Sequence, residues 1–344
     1  MWTFWCRRIL FLLASALIAG CEDRSDRIAA AETKKVQAQH ELDQGRFQVA
    51  TELAREAVTS FTNLFGQKDV RTIDSRVLLS QALAESGEID KAVIESRTAA
   101  KDAAAIDDRD LETLLYARTS VAAVLVKKKD SSGAASVNES KEAEEICQAA
   151  LRQADSELGP ESFIAMNTRQ VLAVAQSNLG KRKEAIRTNT VLLEMQRLKF
   201  GNEDDGTLST RMNLASMLLE EELFDPAQRE FQLVYETRQK KLGEDHPDTL
   251  VTKAWIGTCL SDQKQYSAAI PVMVDVWERR KRVLGESHRS TLAAGFNLAV
   301  AKMESGNRTE AIQIVVGLHQ VALKNLGPED SQTQMYQRAL DKVK

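Results

Sequence analysis

The sequence predicts an all-α fold, a solenoid of about seven helix-turn-helix units with a C-terminal capping helix. Three observations predict it. Glycine recurs with a 42-residue period at Gly159, Gly201, Gly243, Gly285 and Gly327, each time after Leu or Phe. Two series of small residues keep a common register along the chain. The composition has 5 prolines and 5% aromatics in 344 residues, and its abundance of Ala, Leu, Glu, Lys, Arg and Gln favours helix over sheet. A fixed period of this length marks stacked units that bury each other's apolar faces.

The elements follow in chain order. Arg7 and Arg8 precede an uncharged, mostly apolar run from Ile9 to Ala19. Such a run is too short to span a bilayer and suits the apolar core of a signal peptide. Ile18-Ala19-Gly20-Cys21 resembles the bacterial lipobox, a branched aliphatic and two small residues before cysteine. That resemblance implies a signal peptide over 1-20, lipidation of Cys21 after cleavage, and an anchor to a membrane of the bacterial cell envelope, on its periplasmic or extracellular face. An ordinary secretory signal with a chance cysteine, or an uncleaved anchor, is the alternative.

Residues 21-344 read as the repeat array. The small residues that mark each pair are Ala38 and Ala50, Ser80 and Ala92, Ala122 and Ala143, Ala173 and Ala185, Ala215 and Ala227, Gly257 and Ala269, and Ala299 and Ala311. They belong where two helices cross, because a larger side chain would hold the backbones apart. The third pair carries extra residues in a polar, Ser-rich stretch, Lys127–Ser140, expected to be an exposed loop. Asp225-Pro226 reads as the N-cap and first residue of a second helix. The glycine after each second helix is expected in the left-handed C′ position. A last helix over 330-343 caps the apolar end.

These units resemble tetratricopeptide repeats, and in particular the 42-residue variety of kinesin light chains. The residues that carry the resemblance are Leu-Gly-Glu-Asp-His-Pro-Asp-Thr-Leu at Leu242–Leu250, Leu-Gly-Glu-Ser-His-Arg-Ser-Thr-Leu at Leu284–Leu292, and Asn-Leu-Ala at Asn213–Ala215 and Asn297–Ala299. The resemblance implies a right-handed superhelix that binds protein or peptide on its concave side. It further implies that Asn213 and Asn297 contact a bound peptide.

Little in the sequence points to chemistry. It has no nucleophile elbow, no phosphate-binding glycine loop and no HExxH, so no enzyme activity, cofactor or small-molecule substrate is expected. The net charge of -4 lacks the basic balance of a nucleic-acid binder. His246 and His288 hold equivalent places in neighbouring repeats, one repeat apart, and are expected to be helix-start residues rather than metal ligands. The run Arg279–Arg282 reads as a solvated helix end, or alternatively as a basic patch. Cys147 and Cys259 are expected to be buried structural thiols.

The register of the small residues sends a mixed set of side chains to the first-helix face. It includes Asn167 and Gln170 in the fourth repeat, Asn213 and Ser216 in the fifth, Trp255 and Thr258 in the sixth, and Phe296 and Asn297 in the seventh. Amides there suit the backbone of an extended peptide and aromatics suit its apolar side chains. Trp255 can equally pack between helices, and Asn213 and Asn297 can equally be plain exposed polar residues. The function expected is a membrane-anchored scaffold or adaptor that holds a peptide or protein partner in the concave groove. The alternative is a structural spacer of an envelope complex that works through its convex face and loops.

Overall fold

The computed structural model of the protein describes residues 24–106, 110–130 and 133–342. Within them lie fifteen helices and no strand, an all-α repeat fold. Ile18, Ala19, Gly20 and Cys21 lie outside the described residues, as do the rest of 1–23. The chain divides into two units, Met1–Thr188 and Asn189–Lys344.

The first unit holds α1 (24–43), α2 (Phe47–Phe65), α3 (Val70–Glu85), α4 (Ile89–Ala104), α5 (Leu111–Leu125), α6 (Val137–Glu157), α7 (Phe163–Asn178) and the start of α8 (Arg182–Phe200). Its neighbouring first helices meet through buried hydroxyls. Ser80 Oγ of α3 lies 3.2 Å from Ser120 Oγ of α5, and Thr119 Oγ1 of α5 lies 2.9 Å from Thr168 Oγ1 of α7. Such pairs satisfy each other inside the core and let the backbones approach closely.

The second unit holds the rest of α8, then α9 (Asp205–Glu220), α10 (Phe224–Leu242), α11 (Pro247–Asp262), α12 (Tyr266–Leu284), α13 (Arg289–Glu304), α14 (Arg308–Asn325) and α15 (Ser331–Asp341). α15 packs on α14. Its Tyr336 is fully buried against Phe296, with the rings 5.4 Å apart.

The small residues sit where the register placed them. Ala50, Ala92, Ala143, Ala185, Ala227, Ala269 and Ala311 are all fully buried, and so are Ala38, Ser80, Ala122 and Ala215. At Gly257 an added Cβ would lie 3.0 Å from Met273 Cγ. The backbone of α11 therefore touches a side chain of α12 where any larger residue would intrude.

Each first helix from the second repeat onward starts on a capping side chain. Asp69, Asp110, Ser162 and Asp204 accept a backbone N–H of the first turn, and Asp330 does the same for α15. In α11 and α13 the caps are His246 and His288, whose Nδ1 atoms accept from Asp248 N and Ser290 N at 3.2 Å. The periodic histidines are thus helix-start residues, and each satisfies one of the amides that a helix leaves unbonded at its first turn.

Three local details differ from the sequence reading. The glycines after second helices have positive φ, but Gly243 and Gly285 have ψ of 166° and 159°. That is an extended mirror-image conformation rather than the left-handed helical one, and it is open essentially to glycine alone. It lets the chain leave one helix and enter the next first helix within a few residues. Secondly, α10 starts at Phe224 with Leu223 as N-cap, so Asp225 and Pro226 are its second and third residues. Proline is harmless there because the first-turn amides have no helical partner. Thirdly, the described residues on either side of 131–132 pair through a short antiparallel bridge between Lys129 and Ala135. Asp130 N donates to Ala134 O at 2.8 Å and Ser136 N to Lys128 O at 2.9 Å, and α6 begins at Val137, so the last residues of 127–140 are helical. Ser136 is the N-cap, with its hydroxyl donating to Glu139. Lys128 lies 3.3 Å from both Asp90 and Glu139, which ties the end of α5 and the bridge to α4 and α6.

Candidate functional site

The first-helix face is built from two repeat positions. Asn213, Trp255 and Asn297 occupy one, and Ser216, Thr258 and Val300 the next turn along. Residues three apart on a helix lie on one face, so each of α9, α11 and α13 presents both. In this second unit Asn213, Ser216, Trp255, Thr258 and Phe296 are half-buried, and Asn297 is exposed. In the first unit α7 carries Asn167, half-buried, and Gln170, exposed.

The amides and the aromatics differ in how they are committed. Asn213 and Asn297 make no side-chain hydrogen bond to any described residue, so their donors and acceptors are open to a ligand. Thr258 Oγ1 is turned back onto Ala254 O at 3.2 Å. Trp255 lies flat on the buried ring of Phe231, with centroids 5.7 Å apart and planes inclined by 9°. Of the two readings of this tryptophan, interhelix packing is the one its geometry supports.

Phe296 forms the wall of an apolar cavity of about 190 Å³. Ala299, Val300 and Met303 of α13 continue that wall, with Ile312 and Val315 of α14 and Ala339 and Leu340 of α15 opposite. Small-molecule sites generally run to about 300–1,000 Å³. This cavity is smaller and has the size of a single side chain. Sequence reasoning named Phe296 for such a pocket but not the α15 residues that complete it, because their place depends on how the capping helix docks.

The charged groups of this unit are largely paired with each other. Arg279 lies 2.6 Å from Glu244, 2.8 Å from Asp245 and 2.9 Å from Asp275. Arg282 reaches Asp245 at 2.7 Å. Arg280 is buried and donates to Ser290 O at 3.0 Å. Lys281 lies over the ring of Trp277, 3.4 Å from its centroid. The run Arg279–Arg282 is therefore an internal network at the end of α12. Hydrogen bonds from Arg279 and Arg282 hold the Asp245 carboxyl below the usual carboxylate range.

Cys147 and Cys259 are both buried. Burial pushes the Cys147 thiol up to about 12, which leaves it without thiolate at neutral pH. Among the described residues no group of three or more His, Cys, Asp or Glu side chains is placed to hold a metal ion.

A family model for the tetratricopeptide repeat matches residues 207–248 and 256–290. No curated protein sequence matches the chain. Among solved structures, the kinesin-light-chain nearly identical TPR-like repeats of Podosopora anserina superpose with a TM-score of 0.56 at 19% identity, over 63% of this chain and 98% of that one. BtubC (BKLC) from P. vanneervenii gives a TM-score of 0.54 at 18% identity, over 74% of this chain and 93% of that one. The STAND protein with a tetratricopeptide repeat sensor from Pyrococcus horikoshii gives 0.60 at 15% identity, over 91% of this chain and 44% of that one. At these identities the likeness is one of fold. The chain is an all-α repeat protein in which residues 207–248 and 256–290 match the tetratricopeptide repeat, and its fold is similar to that of kinesin-light-chain-like repeat proteins.

Proposed function

We propose that the protein is a membrane-anchored scaffold that holds an extended peptide segment of a protein partner along the first helices of its repeats. A solenoid offers a long surface of repeated side chains, and such surfaces are commonly used to bind proteins. The observation that supports this reading best is the open pair of amides, Asn213 and Asn297, on one repeat position beside the apolar cavity at Phe296. Amides suit a peptide backbone, and the cavity suits one apolar side chain of the same peptide. Ser216 extends the polar lining and Thr258 contributes its methyl group, while Asn167 and Gln170 offer amides of the same kind on α7 of the first unit. Trp255 acts by supporting the surface from below.

The anchor is the lipid on Cys21 implied by Ile18-Ala19-Gly20-Cys21. Two or three acyl chains hold a protein firmly to a membrane, and this would place the repeats at the surface of the bacterial envelope. Cys21→Ser should then abolish incorporation of labelled palmitate and release the protein from the membrane fraction; retention of label by that variant would contradict the anchor.

The groove is tested by a photocrosslinking residue at Asn297 and, as control, at Gln232, which is exposed on the second helix α10. A partner adduct at position 297 and none at 232 supports the reading. Adducts at 232 alone would favour the spacer that works through its outer helices.

A further inference from the structure

Four of the repeats share a cationic arm that the third and the seventh lack. Seven residues after the N-cap of the first helix stand Arg76, Arg169, Arg211 and Lys253. Each reaches a carboxylate on a second helix: Arg76 to Glu95 at 3.0 Å, Arg169 to Asp155 at 2.8 Å, Arg211 to Glu230, and Lys253 to Asp275 at 2.6 Å. In the third repeat Ala117 takes the position and is fully buried in a cluster with Val77 and Ala99. In the seventh the position is Gly295. The residues of α14 that correspond to Glu230 and Asp275 are Ile314 and Gly317. Both halves of the polar pair have been replaced.

Beside it a groove of about 560 Å³ runs between α12 and α14, lined by Gly317 of the replaced pair, floored by Leu292 and Leu298 of α13 and walled by Trp277, Ile314 and Leu318. Trp277 takes up the space that the arm vacates, since a Cβ at Gly295 would fall 2.7 Å from its Nε1. The groove lies against second helices, away from Asn213 and Asn297.

Its rim fixes the sign of what would bind. Lys281 is held by Glu278 at 2.8 Å, and Lys302 is held by Glu310. Glu286, on the rim, has no hydrogen-bond or ion-pair partner among the described residues. The charge left unneutralised at an apolar groove is therefore one carboxylate. We propose that this groove is a second docking site, which takes an aromatic or long aliphatic side chain of a protein partner with an adjacent arginine or lysine on Glu286. Arginine matches a carboxylate with two parallel N–H donors and so suits the rim best. The proposal goes beyond the first-helix reading and does not depend on it.

The probe is the capped dipeptide acetyl-Phe-Arg-amide, titrated into the full chain while the Trp277 indole N–H signal is followed by NMR. The signal is assigned by its loss in Trp277→Phe. The expected result is a saturable shift that is about fivefold weaker with acetyl-Phe-Glu-amide, the size of an exposed ion pair. Glu286→Gln should remove that preference. Gly317→Leu should abolish the shift, and it is a safe variant: nothing lies within 4 Å of an added Cβ there, and leucine favours helix over glycine. No saturable shift, equal shifts with both dipeptides, or an unchanged shift in Gly317→Leu would each overturn the proposal.

Discussion

Trp255 of α11 stacks on Phe231 of α10 with a ring separation of 5.7 Å and near-parallel planes. An aromatic pair in this arrangement adds about 0.5–1.5 kcal/mol beyond the area it buries. The indole thus couples a first helix to the second helix of the preceding repeat. Trp255→Ala should lower the unfolding free energy by about 2 kcal/mol, less than the 3–5 typical of a fully buried tryptophan, because Trp255 is half-buried. Trp255→Phe should recover most of that loss. Urea unfolding followed by circular dichroism reads both. Loss of partner binding in Trp255→Ala alone would reflect this packing, and so the amides are the cleaner probes of the groove.

The turn between first and second helices needs a left-handed residue. Glycine provides it at Gly180 and Gly306, but Glu222 and Lys264 hold the equivalent places with φ of 58° and 59°. A side chain in this region costs roughly 1–2 kcal/mol, partly offset by the lower flexibility it gives the unfolded chain. Glu222→Gly and Lys264→Gly should each raise the unfolding free energy by about 0.5–1 kcal/mol. A differential scanning measurement that finds either variant less stable would contradict this account of the turn.

His246 and His288 should behave as caps in mutagenesis. His288→Ala is expected to cost about 1 kcal/mol, the usual loss for an N-cap side chain. His288→Asp should equal or exceed the wild type, since a carboxylate also favours the helix dipole. Added zinc should change neither midpoint, a result that thermal unfolding with and without the metal would check.

Acid should loosen the repeats through their paired carboxylates. Asp69, Asp245 and Asp330 are held below their ordinary values by arginine partners: Arg71, then Arg279 with Arg282, and Arg289. A carboxylate lowered in the folded state stabilises fully above its unfolded value of about 3.9 and loses that contribution as pH falls through the folded value. With respect to these groups, the thermal midpoint should be level from neutral pH down to about 5 and fall below about 4. Asp245→Asn should lower the midpoint at neutral pH and make the acid fall shallower.

The helix pairs were legible in the sequence because their cause is local and periodic. A small residue is needed at each crossing, and fully buried alanines at positions 50, 92, 143, 185, 227, 269 and 311 satisfy that need. The capping role of His246 and His288 was half legible: the period placed them at helix starts, while the acceptor role of Nδ1 needed the geometry. Less could be read where two remote segments meet. Nothing near Phe296 in sequence announces Leu340 across the cavity. Nor does Gly295 announce Trp277, whose indole fills its empty side. The start of α6 at Val137 was hidden for another reason: Asn138, Glu139 and Ser140 suit both a loop and the first turn of a helix.

The central claim is that the first-helix face holds the partner, and Asn213→Ala/Asn297→Ala tests it most directly. Neither amide has a partner among the described residues, so the double variant should keep the wild-type helix content and thermal midpoint. The protein and the variant would be compared in affinity capture from the native envelope fraction, with circular dichroism as the folding control. The account predicts that specific partners captured by the wild type are lost or much reduced with the folded variant. Undiminished capture by that variant would contradict it.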